Sequence, residues 1–176
     1  QVGCPLSCKF CASGMSFSRN LTDEEIIMQA LFWARYLKKN NLGRLSNIVF
    51  MGMGEPFLNY DNVFSSIAVF NNPDFFNISD RKISISTSGL IEGIRKMASE
   101  EHQVNLAISL HFVNDKMRAV FMPIAKKYPL KKLFSVIEYY VEKTNRKVMF
   151  EYMLIKGKND SPKDAENLAS LMKPLY

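Results

Sequence analysis

Cys4-Pro5-Leu6-Ser7-Cys8-Lys9-Phe10-Cys11 holds every cysteine of the 176-residue chain. Three residues separate the first pair and two the second, so one turning loop aims all three sulfurs at a common point, as soft thiolate coordination of a metal centre requires. Two readings stand side by side. Structural zinc wants four protein ligands, and neither His102 nor His111 lies nearby in sequence, although a fold can bring His111 close. An iron–sulfur cubane held by three cysteines leaves its fourth iron open to a small molecule, which suits an enzyme better than an electron carrier.

Outward from this loop the chain alternates between two kinds of segment. Thr22 and Glu25 form a capping box before an apolar stripe of Ile27, Ala30, Leu31, Ala34 and Leu37, which predicts a helix over 23–39. Ile48-Val49-Phe50-Met51 is short, apolar and unalternating, the pattern of a buried parallel strand. A helix is expected from about Asp61 to Phe70, a strand at 82–86, a helix around 90–100 and a strand over 104–109. A short helix at 114–121 precedes one that Pro129 opens, with Leu130, Leu133, Phe134, Ile137 and Val141 on one face. A strand at about 147–155 and a helix opened by Ser161-Pro162 close the pattern. Strands alternating with helices at this period predict an α/β fold: βαβ units with a parallel sheet, carrying its site at the strands' C-terminal ends.

Composition sets the outer limits. Apolar residues make up 47% and aromatics 12%, enough for a continuous core in one domain. No run of eighteen apolar residues offers a membrane span, and the start Gln1-Val2-Gly3-Cys4 has no signal-peptide character. An odd, tightly clustered set of thiols argues against a disulfide framework and for a reducing, cytoplasmic setting. The net charge is +6, with 8 basic and 7 acidic residues over 1–88 against 15 and 10 over 89–176. Such a surplus is compatible with a polyanionic partner but equally with solvated helical faces.

Four segments follow strand ends. Gly52-Met53-Gly54-Glu55-Pro56 allows close backbone approach and carries one carboxylate suited to an ammonium, yet lacks the full dinucleotide fingerprint. Ser86-Thr87-Ser88-Gly89 and Ser109-Leu110-His111 place hydroxyls where a ribose or a carboxylate could bond them. Arg118, with the Met122-Pro123-Ile124 turn, is either packing or a partner for a cofactor carboxylate.

Cys4, Cys8 and Cys11, with Phe10 before the last, resemble the radical S-adenosylmethionine signature. GCPLSCKFCASG, FMGMGEP, ISTSGL, LAISLH, MPI with KKYPL, and FEYMLIKGKND together resemble the ordered motifs of the RlmN/Cfr family. The resemblance implies a partial (β/α)6 barrel and a 4Fe–4S cluster on Cys4, Cys8 and Cys11. It places S-adenosylmethionine against Gly54, Glu55, Ser86, Ser109, Leu110 and His111. It further implies methylation of adenine C2 in 23S rRNA and tRNA, fed by an electron donor such as flavodoxin or ferredoxin. Cfr-type C8 methylation, another radical enzyme, and a non-catalytic metal-binding module are the alternatives; Pro56 leans toward the RlmN side.

The chain departs from that family in one respect that bears on chemistry. No cysteine lies outside the cluster motif, so the methyl-carrying and resolving thiols of the family have no counterpart here, and no catalytic residue is assigned. Residues 1–176 are expected to be an incomplete core domain that starts at the end of a first strand and stops before a sixth, without the family's N-terminal RNA-binding domain or its C-terminal segment. Such a piece would leave an open sheet edge and exposed apolar surface.

Overall fold

In a computed structural model, which describes residues 1–100 and 102–175, the anticipated helices form close to the expected boundaries. Helix α1 (Asp23–Lys39) begins at the Thr22–Glu25 capping box, where each side chain bonds the other's backbone N–H. Arg19 grips the Glu25 carboxylate with two nitrogens at 2.7 and 2.8 Å, fixing the approach to the helix. Helices α2 (Tyr60–Asn71), α3 (Ile91–Ser99), α4 (Asp115–Phe121), α5 (Leu130–Thr144) and α6 (Pro162–Met172) follow.

The parallel sheet has the order β3 (Ile48–Phe50), β4 (Ile83–Thr87), β5 (Asn105–Ser109), β6 (Val148–Glu151). The central strands carry apolar residues with no reason to meet water: Ile83, Ile85, Leu106 and Ile108 are fully buried. They pack into one core with Ile94 and Met97 of α3 and Ile137 and Tyr140 of α5. The outer strands differ sharply, with Val49 of β3 60% exposed and Met149 of β6 45% exposed. Trp33 on α1 is 53% exposed.

One feature was not anticipated and one boundary needs revision. Val2–Gly3 forms β1 and pairs antiparallel with β2 (Phe17–Arg19), outside the parallel sheet. Gly3 makes this possible: its backbone is left-handed at φ +81°, and a Cβ there would sit 2.0 Å from the Ser16 carbonyl oxygen. The last strand, expected over 147–155, stops at Glu151. Beyond it the Asn159 side chain takes over the backbone groups that a longer strand would offer a neighbour. It donates to the Met153 and His111 carbonyls at 2.7 and 2.6 Å and accepts the Ile155 N–H at 2.6 Å.

Candidate functional site

The cysteine loop is built by short-range bonds. Cys11 N–H donates to the Cys8 carbonyl at 3.0 Å, Gly14 N–H to the Cys11 carbonyl, and Cys4 N–H to Ser16. Lys9 N–H reaches the Phe121 carbonyl at 2.9 Å and thereby docks the loop on the end of α4. The Phe10 ring meets His111 edge-on at 5.0 Å between centroids. A cavity of about 200 Å³ then brings together Cys4, Cys8, Cys11, Gly54, Glu55, Ser86, Ser109 and His111, drawn from the loop and from the ends of three strands, and Glu151 at the end of a fourth also lines it. A larger cavity of about 450 Å³ between α1 and β3 contains none of the cysteines. Leu110 is the exception among the anticipated residues: its side chain is buried against Leu130 and Phe134, and only its backbone faces the strand-end network.

Burial sets the protonation chemistry of this cavity. The Cys8 thiol is pushed up to about 11, chiefly by desolvation, so in the metal-free protein it is neutral; Cys4 is raised for the same reason. Burial also holds His111 below the ordinary imidazole range, partly offset by Glu151. Its Nδ1 lies 3.2 Å from Met153 N–H, which assigns Nδ1 as acceptor and puts the proton of the neutral ring on Nε2.

Glu55 is 1% exposed, with one carboxylate oxygen accepting Ser88 N–H at 2.8 Å and the other Phe57 N–H at 3.2 Å. Desolvation dominates these bonds and pushes its pKa up from 4.5 to about 7. A group raised in this way contributes stability in full below its unfolded pKa, and that contribution is lost as pH rises through the folded value. Between about pH 4 and about pH 8, ligand-free Glu55→Gln protein should therefore gain about 3 kcal/mol relative to the parent in urea denaturation. Comparing the two proteins isolates Glu55 from His111, whose depressed pKa acts with the opposite sign. An offset between them that is independent of pH would refute the assignment.

Arg118 is completely buried at the back of the site. Its guanidinium donates to the carbonyls of Ser88 at 2.8 Å, Leu110 at 3.3 Å, and Ser109 and Tyr128 at 3.5 Å. The residue read as a possible cofactor partner thus spends its donors tying the ends of β4 and β5 to the segment before α5. Burial lowers its pKa to about 10, leaving it a cation in neutral solution.

The sequence model of the radical SAM superfamily matches residues 1–169. The chain belongs to the radical SAM superfamily. It is 47% identical over 177 residues to the probable dual-specificity RNA methyltransferase RlmN of Streptococcus mutans, covering 99% of this chain and 49% of that protein. The corresponding protein of Spiroplasma citri is 48% identical over 176 residues, covering 99% of this chain and 51% of its own. The chain thus spans about half the length of the curated relatives it matches. A crystal structure of a radical SAM methyltransferase from Sphaerobacter thermophilus superposes with a TM-score of 0.95 at 43% identity, over 98% of this chain and 51% of that one. Streptococcus suis SuiB, solved bound to S-adenosylmethionine, shares the fold at a TM-score of 0.64 and 19% identity, over 97% of this chain and 36% of that one.

Membership in the radical SAM superfamily implies a 4Fe–4S cluster and S-adenosylmethionine as cofactors. The donor set fits: three thiols of one loop line one cavity, and each sulfur of such a site serves a different iron. Single-ion zinc fits less well, because among the described residues no three His, Cys, Asp or Glu side chains converge tightly enough to hold one metal ion.

One residue of this radical SAM site escaped the sequence reading. Glu151 ends β6 directly opposite Ser109, and its Oε2 accepts from both Ser109 Oγ at 2.7 Å and Ser86 Oγ at 3.0 Å. Its signal in the sequence is a carboxylate at the end of an apolar strand, within FEYMLIKGKND.

Proposed function

We propose that this chain is the cofactor-binding core of an RlmN-type RNA methyltransferase that acts on adenine C2 in 23S rRNA and tRNA. The observation that carries the reading is the gathering of three cysteines, Gly54–Glu55, two serines and His111 around one cavity. When bound, the cluster on Cys4, Cys8 and Cys11 supplies the electron for reductive cleavage of S-adenosylmethionine to a 5′-deoxyadenosyl radical.

The chain's own residues do the positioning. Gly54, at φ +102°, lets the backbone pass close to a ligand, and Glu55 beside it receives the methionyl ammonium. The neutral His111 offers its Nε2–H to the cavity, and Ser86 and Ser109 face the sugar. Arg118 keeps the two strand ends at fixed separation and so fixes the spacing of these contacts. Among the basic residues of the second half, Lys96 pairs with Asp61 at 2.7 Å and Lys127 with Glu92 at 3.7 Å, both at the surface. Flavodoxin or ferredoxin as electron donor, and a cytoplasmic location, complete the proposal. Among the described residues no helix is long and apolar enough to cross a membrane.

The test is anaerobic reconstitution with iron and sulfide, followed by reduction with dithionite in the presence of S-adenosylmethionine. Formation of 5′-deoxyadenosine is expected. An iron-free protein that binds one zinc tightly would overturn the radical reading. Unchanged 2-methyladenosine in RNA from cells lacking the gene would overturn the RlmN reading.

A further inference from the structure

Ser86 Oγ, Ser109 Oγ and Glu151 Oε2 form a closed triangle in the wall of the cysteine-lined cavity. Its edges are 3.1 Å between the serines, 3.0 Å from Ser86 to Glu151 and 2.7 Å from Ser109 to Glu151. Strand register builds it. Ser86 pairs with Ala107, Ser109 lies two residues further along the same face of β5, and Glu151 stands opposite Ser109 on β6.

Each serine brings one proton and the carboxylate oxygen only accepts, so two protons serve three oxygen–oxygen contacts. Both are used inside the triangle, however they are distributed. What faces the cavity is lone pairs, and a ligand seated here must bring its own donors. A carboxylate brings none and meets the charge of Glu151. An ammonium brings donors and is drawn to Glu151, but the Arg118 guanidinium, bonded to the carbonyls of Ser88 and Ser109, already sets a cation beside these strand ends and opposes a second. A neutral pair of hydroxyls satisfies the wall without either conflict.

We propose that Glu151 is a positioning residue that locks Ser86 and Ser109 as hydrogen-bond acceptors, so that this wall receives the hydroxyls of a ribose and excludes a carboxylate. The inference deepens the cofactor reading proposed above and rests on it. It also orients the ligand: the sugar lies toward β4–β6, and the amino-acid end lies away from Glu151.

The test is calorimetric binding to the cluster-loaded protein with 5′-deoxyadenosine, 2′,3′,5′-trideoxyadenosine and L-methionine as separate probes. The parent protein should prefer 5′-deoxyadenosine over its trideoxy analogue by roughly tenfold, the worth of one or two hydrogen bonds to a polarised acceptor. In Glu151→Leu the preference should fall below about twofold, with methionine binding changed by less than about twofold, because the serine protons are then free to turn outward. Glu151→Gln keeps an oxygen that both hydroxyls can reach and should retain most of the preference. Equal iron content and thermal midpoint across the variants separate this from a role in folding. A tenfold preference that survives in Glu151→Leu, or its absence from the parent, overturns the inference while leaving the cofactor reading intact. Loss of methionine binding in Glu151→Leu, with the sugar preference unchanged, places an ammonium at this wall and also overturns it. Failure of the parent to bind 5′-deoxyadenosine at all removes the cofactor reading and this inference together.

Discussion

Cys8→Ala protein, reconstituted in parallel with the parent, is expected to lose its iron and with it the visible sulfur-to-iron charge-transfer absorption. Changes one shell out from a metal weaken such sites by roughly 10–100-fold, and removal of a direct ligand exceeds that. Cys8 is the most informative of the three to remove. Its thiol is pushed up to about 11, chiefly by desolvation, and stays protonated in the metal-free protein. The loop itself should persist, because Cys11 N–H to Cys8 carbonyl and Lys9 N–H to Phe121 carbonyl are backbone bonds that alanine retains. The far-ultraviolet circular dichroism should therefore match that of the parent. Full iron occupancy in Cys8→Ala would show that the centre is held by other groups, and the cluster assignment would fall.

Arg118→Met should be the most destabilising change at the back of the site, at about 3 kcal/mol, which for a chain of this size lowers the thermal midpoint by about 6–12 °C. Methionine fills much of the volume and removes the cost of a buried cation, an effect that favours the variant. Against it stand the carbonyls of Ser88, Ser109 and Tyr128, which lose the guanidinium donor in a place water does not reach, whereas the Leu110 carbonyl keeps the Phe112 N–H at 2.7 Å. Each buried polar group left unpaired costs about 1–3 kcal/mol, so the losses outweigh the relief. Arg118→Lys should recover only part of the deficit, since an ammonium is a point donor and cannot span four carbonyls on separate segments. A thermal midpoint within a degree or two of the parent would mean that the strand ends are held by their own packing.

The α/β alternation was legible because each element carries a local signal. The Thr22–Glu25 box opens α1, Ser161-Pro162 opens α6, and the apolar residues of β4 (Ile83, Ile85) and β5 (Leu106, Ala107, Ile108) mark the two buried strands. That Gly54, Glu55 and the two serines would share one cavity was legible because strand ends in a parallel sheet share one side. What the chain did not disclose depends on contacts between distant residues. Nothing local distinguishes Arg118 from a surface arginine until four carbonyls close around it. Glu151 reads as an ordinary polar end to a strand until the register sets it opposite Ser109. The antiparallel pairing of Val2–Gly3 was hidden for a similar reason, since it turns on one left-handed glycine against the Ser16 carbonyl.

His111 adopts a left-handed backbone, with φ at +57°, at the edge of the cavity. For a residue with a β-carbon that conformation costs about 1–2 kcal/mol, and the surroundings have to hold it in place. Here the holding is done from the 152–159 loop: Asn159 Nδ2 on the His111 carbonyl at 2.6 Å and Met153 N–H on the His111 ring at 3.2 Å. The turn and the loop are therefore a single cooperative unit. In hydrogen exchange their amides should open together, with a free energy fixed by an asparagine that does not itself line the cavity, so the shape of the cavity is governed from its rim.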